Sequence, residues 1–152
     1  MKIATAFAAT GAAALALAGC ATLEEGIAEE VAETFYANLT GAAEVGGGDP
    51  DGSGEAEISV SDELGQVCWD LNRIRGIGPI TAAHIHRGVA GTNGPPVFTL
   101  QRANEGGYKG CTDASEFVQD FLEASPGSFY VNVHTAEYPN GAIRGQLTDD
   151  DG

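Results

Sequence analysis

Beyond residue 33 apolar and polar residues alternate with a period of two through most of the chain, the spacing that sends successive side chains to opposite faces of an extended strand. Across residues 66–72 the apolar Val67, Trp69 and Leu71 fall on one face, and Cys68, Asp70 and Asn72 on the other. Ile58 and Val60 alternate in the same way before it. The pattern predicts seven short strands, over residues 34–39, 56–61, 66–74, 80–87, 97–101, 129–135 and 142–148. Clusters of Gly, Pro, Asn and Asp separate them at 46–54, 76–79 and 91–96, and Tyr138-Pro139-Asn140-Gly141 joins the last two as an antiparallel hairpin. One segment keeps a different period. Phe117, Val118, Phe121 and Leu122 recur at helical spacing, with Asp113 as N-cap, Glu116 three residues on, and Pro126-Gly127 as the stop. The fold class that follows is all-β, an antiparallel β-sandwich of immunoglobulin-like or related Greek-key type, with one short helix covering an open end.

The start of the chain obeys another rule. Lys2 is the sole charge before Glu24, and residues 3–19 are apolar or small throughout. That run is too short and too rich in Ala and Gly for a bilayer span, and it fits a signal-peptide core ahead of a cleavage site. Leu17-Ala18-Gly19-Cys20 has the order of a bacterial lipobox, in which the Cys becomes the lipidated first residue. Ordinary signal-peptidase cleavage, with Cys20 merely nearby, is the simpler alternative. The chain then divides into a signal peptide at 1–19, an acidic tether at 20–33, one domain at 34–149 and an acidic tail at 150–152. Its expected location is the cell envelope, lipid-anchored on the periplasmic side. Ala21 rather than Asp after the Cys points to the outer membrane if the cell is Gram-negative.

Charge narrows the partners. Against 22 acidic residues stand only 7 basic ones, a net charge of −15 that repels nucleic acid and anionic headgroups. The cysteines sort by compartment. With Cys20 consumed by lipid, Cys68 and Cys111 remain as an even pair in an oxidising environment, where a disulfide is expected. Two buried thiols would require a cytosolic protein. The loop such a bridge closes corresponds to a stabilisation on the order of 3–4 kcal/mol in the chain-entropy model.

The most specific residues lie in the second half. Ala83-His84-Ile85-His86-Arg87-Gly88 and Gly91-Thr92-Asn93-Gly94-Pro95 precede Tyr130-Val131-Asn132-Val133-His134-Thr135 and the segment from Tyr138 to Leu147. Together with Leu39-Thr40-Gly41-Ala42-Ala43-Glu44-Val45, Val67-Cys68-Trp69-Asp70-Leu71 and Gly110-Cys111, these motifs resemble the CHRD domain over residues 34–149. One departure is the stretch 46–54, longer, more acidic and richer in Gly than that resemblance leads one to expect. The resemblance implies an extracellular binding or structural module and no enzymatic reaction. An exposed loop at 88–96 would then be open to a protein or glycan partner.

All 3 histidines fall in these motifs. His84 and His86 are two apart, so on a strand both leave one face while Ala83 and Ile85 leave the other. Val131 and Val133 are candidate core residues, which sends Tyr130, Asn132 and His134 to the opposite side. If the two strands are neighbours, His84, His86 and His134 converge, and three neutral imidazoles suit Zn²⁺ or Cu²⁺. The order also resembles three copper ligands and the active-site Arg of copper–zinc superoxide dismutases, with Arg144 in the last role, and a fold of that type is an alternative. The bridging His and the zinc ligands of those enzymes have no counterpart here, and dismutase activity is not expected. The other reading is a hydrogen-bonded polar seam, the imidazoles bonding Asn132, Thr135, Asp70 or backbone carbonyls, and Arg144 bonding carbonyls, Asp70 or Glu137. Asp49, Asp51 and Ser53 resemble the start of a calcium loop, but Val60 stands where its bidentate Glu should be, so a solvated acidic turn is the plainer reading. Nucleophile elbows, phosphate loops and dinucleotide fingerprints are absent.

Overall fold

The structure, a computed structural model, describes residues 32–149. The segment expected to be a signal peptide, Cys20, nearly all of the expected tether and the acidic tail at 150–152 lie outside the described residues. Eight strands form one antiparallel sheet: β1 Glu33–Thr40, β2 Ser53–Ser61, β3 Gln66–Arg75, β4 Ile80–Arg87, β5 Pro96–Thr99, β6 Tyr108–Asp113, β7 Phe129–Thr135 and β8 Ile143–Gln146. Their spatial order is β5-β4-β7-β8-β1-β2-β3-β6. The expected sandwich is thus one sheet curled on itself. Its halves meet where Thr40 of β1 pairs Arg144 of β8, extended by a bridge from Tyr36 to Thr148. The curl brings strands far apart in that order face to face. The Trp69 ring of β3 packs edge-on at 5.9 Å against Phe98 of β5, and its Nε1–H donates to the Gln101 carbonyl at 3.2 Å.

The inner face is what the alternation dictates. Ile58, Val60, Val67, Ala83, Ile85, Val131, Val133 and Ile143 are fully buried, with Phe35, Leu39 and Trp69 beside them. Burying each such aliphatic side chain is worth about 1.5–3 kcal/mol, so the core and not the strand propensities holds the curl. Gly145 lets the halves touch: a Cβ there would stand 2.4 Å from the Asn38 carbonyl oxygen of β1.

Two expectations need correction. Strand β6 was not predicted, because Tyr108 is its one large buried side chain and Gly110 lies under the Trp69 indole, leaving no apolar alternation to read. The helix, α1 at Glu116–Ala124, is capped by Ser115 and not by Asp113. Asp113 is taken as the last residue of β6, where its carboxylate accepts from Gln66 Nε2 at 3.2 Å. The helix does cover one end of the curl, with Leu122 fully buried and Val118 and Phe121 packed on the core.

The disulfide forms as expected. Cys68 and Cys111 are directly opposite on β3 and β6, with Cα atoms 4.0 Å apart across a sequence separation of 43. It lies on the outer, solvent side of the sheet and ties down the edge strand that the core holds least. Replacing both cysteines by Ser is expected to lower stability by about 3 kcal/mol. Urea denaturation of the variant against the oxidised protein checks this, and equal midpoints would show that β6 needs no tether.

Candidate metal site

On β4, Ala83 and Ile85 turn inward, so His84 and His86 leave the outer face. On β7, Val131 and Val133 turn inward, and Tyr130, Asn132 and His134 leave the same outer face. The strands are neighbours, with His84 opposite Asn132, His86 opposite Tyr130 and Ala82 opposite His134. The three imidazoles therefore meet. One nitrogen from each lies within 4.8 Å of the other two, and the group is the one such cluster among the described residues.

Hydrogen bonds assign the tautomers. His86 Nδ1–H donates to the Gly94 carbonyl at 2.9 Å, and His134 Nδ1–H donates to the Pro139 carbonyl at 3.1 Å. Both rings consequently present an unprotonated Nε2. His134 Nε2 lies 3.2 Å from His84 Nδ1 and accepts its proton, while His86 Nε2 is buried without any partner. Two backbone carbonyls thus do for His86 and His134 what outer-shell acceptors do for metal-bound histidines elsewhere. Burial lowers all three imidazole pKa values from the ordinary 6.5. Repulsion among the rings adds to this for His84 and His134, and the Arg144 charge adds to it for His86. Burial therefore favours the neutral imidazoles, and among their nitrogens His86 Nε2 is left buried without a partner.

This face of β7 is buried as well, which the alternation did not announce. The segment 88–95 folds back over it. Arg144, 2% exposed, lays its guanidinium 3.4 Å from the Tyr130 ring centre and donates to the Thr92 carbonyl at 2.6 Å and to Asn93 Oδ1 at 3.2 Å. Tyr130 in turn stacks on His86 at 5.0 Å, and its hydroxyl accepts from Gly94 N–H at 3.1 Å. Only Gly fits at 94, since a Cβ would stand 1.6 Å from the Arg87 carbonyl oxygen. Asp70 is elsewhere: it pairs with Lys109 on the outer face of β3. Arg144 bonds carbonyls and Asn93, not Asp70 or Glu137. Asp49 Oδ1 accepts from Asp51 N–H at 3.2 Å within the turn, and Ser53 Oγ accepts from Arg75 Nε–H at 3.2 Å.

A family model, the CHRD domain, matches residues 35–147. The chain belongs to the CHRD-domain family. No curated protein and no solved structure matches it. The three histidines, Tyr130, Asn132 and Arg144 all lie inside the matched CHRD region.

Sequence reasoning overlooked Glu44, visible there only as part of the opening motif. Its Oε1 and Asn132 Oδ1 are buried without partners, and both crowd the Cα of Gly141, lying 2.4 and 2.7 Å from where a Cβ would be. Burial raises the Glu44 pKa from 4.5 to about 7, against the pull of Arg144. The folded CHRD domain therefore holds the Glu44 proton more tightly than the unfolded chain does. The contribution is present in full below pH 4.5 and is lost as pH rises through about 7. Glu44→Gln is expected to stabilise the domain at pH 8 by about 1–2 kcal/mol, a figure reduced because the side chain is only half-buried, and to change little at pH 4. Urea denaturation at the two pH values tests it; a difference independent of pH would contradict the assignment.

Proposed function

We propose that this CHRD-domain protein is a non-enzymatic binding module of the cell envelope, tethered by lipid on Cys20, whose three-histidine cluster binds copper or zinc. The metal half rests on one observation: His84, His86 and His134 converge, each able to offer one ring nitrogen, and His86 Nε2 is buried with no partner. A buried nitrogen left unbonded costs about 1–3 kcal/mol, and an ion in the site offsets that. At metal–nitrogen distances of about 2.0–2.1 Å two ligands stand about 3.4 Å apart in a tetrahedron, so loading asks only small ring movements. No thiolate competes among the described residues, because Cys68 and Cys111 are bonded to each other. The tether half rests on Leu17-Ala18-Gly19-Cys20 behind an apolar leader, and on a disulfide that suits an oxidising compartment. A protein or glycan partner would find the outer rim of the 88–95 loop, where Val89 is 55% exposed.

Purified protein titrated with Cu²⁺ or Zn²⁺ is expected to bind one ion per chain. His86→Ala should weaken binding by more than the 10–100-fold that a supporting hydrogen-bond partner is worth. Unchanged affinity in that variant would overturn the metal reading. Because the three imidazole pKa values lie below 6.5, the ion should be retained as pH falls through 6.5 and released at lower pH, where protons compete for the same lone pairs.

The anchor is tested separately by cell fractionation. Cys20→Ala is expected to move the folded domain from the membrane to the soluble fraction. A variant that still sediments with membranes would rule out the lipid.

A further inference from the structure

We propose that the loaded three-histidine centre is an anion-binding site, taking one small monodentate anion as the fourth ligand of a divalent ion. The inference rests on the metal reading above and follows from the charges around the cluster. All three donors are neutral nitrogens, so the ligands cancel none of the ion's charge. The cluster contains no carboxylate. The Arg144 guanidinium reaches the cluster through a stack, 3.4 Å from Tyr130, which is 5.0 Å from His86. Its own donors are spent on Thr92 and Asn93, so it supplies charge to the site and no ligand.

A divalent ion bound here would sit in a half-buried pocket of neutral ligands. Glu44 lies against Gly141 and faces Arg144, outside the cluster, so no carboxylate ligates the ion, and partial burial makes its charge expensive to leave uncompensated. Three ligands also leave one tetrahedral position open, and the imidazoles are only partly covered. An anion in that position satisfies both demands. The net charge of −15 opposes it at long range, but at physiological salt the Debye length is about 8 Å and the distant carboxylates are largely screened. Within that radius the charge of the ion itself decides.

The test loads the intact protein with one equivalent of Cu²⁺ and titrates azide, following the ligand-to-metal charge-transfer absorption and the electron paramagnetic resonance spectrum. One azide per copper, saturating, with both signals changing together, is expected. Copper that loads at one per chain but gives no response to azide overturns the anion site and leaves the metal reading intact. Copper that does not load overturns both. Thr99 is exposed and sits opposite His84 on β5, so Thr99→Asp adds a carboxylate beside the site without touching the core. That variant is expected to load copper and to bind azide about five-fold more weakly, by added repulsion or by occupying the open position itself. Unchanged azide affinity in Thr99→Asp would remove the electrostatic basis of the proposal.

Discussion

A buried guanidinium must have its donors satisfied, and in this domain that demand organises everything on the outer side of the sheet. Arg144 sits on β8 at the seam between the two halves, opposite both Asn132 and Thr40. Water cannot reach it, so the carbonyl of Thr92 and the side chain of Asn93 are drawn in from a loop 51 and 52 positions away in sequence. A hydrogen bond to a charged group is worth about 1.5–3 kcal/mol, enough to hold a short Gly-rich loop in one place. Once the loop is held, Gly94 lies over Tyr130, and its carbonyl is where His86 needs an acceptor. One buried charge therefore reaches the three histidines through a loop, a stacked ring and a tautomer.

The result is a strand buried on both faces by different means. The inner side of β7 packs Val131 and Val133 into an apolar core, while its outer side carries Tyr130, Asn132 and His134 beneath a polar lid. Polar groups on the lid side are mostly paired. Gln146, for example, places its amide nitrogen 2.8 Å from the Gly88 carbonyl and 2.7 Å from that of Phe129. The exceptions, His86 Nε2, Asn132 Oδ1 and Glu44 Oε1, are three of three among the described residues and belong to this one side of the molecule. Unsatisfied buried atoms are rare in folded proteins because each is costly, so their concentration on this side sets it apart from the rest of the described residues.

Membership of the CHRD family places the same elements in a broader frame. A core built from alternation, an outer disulfide on a weak edge strand and a helix over one end each tie down part of a small domain. None of them needs the histidines. The three-histidine cluster lies on the other face of the sheet from that core.

Much of this was legible from residue order alone. Period-two alternation assigned the inward faces of β2, β3, β4 and β7, and the spacing of two between His84 and His86 put both on one face, because a pleated strand allows nothing else. The turn at 138–141 and the pairing of the two cysteines followed from turn chemistry and compartment. Sequence could not reveal β6, whose neighbour Trp69 supplies the bulk that its own Gly110 lacks, nor the true cap of the helix, since Asp113 was already claimed by a strand. It could not reveal the continuous curl, the loop folded back on Arg144, or Glu44 arriving beside Asn132. Those depend on which distant segments become neighbours, and local periodicity says which way a side chain points but not what it will meet.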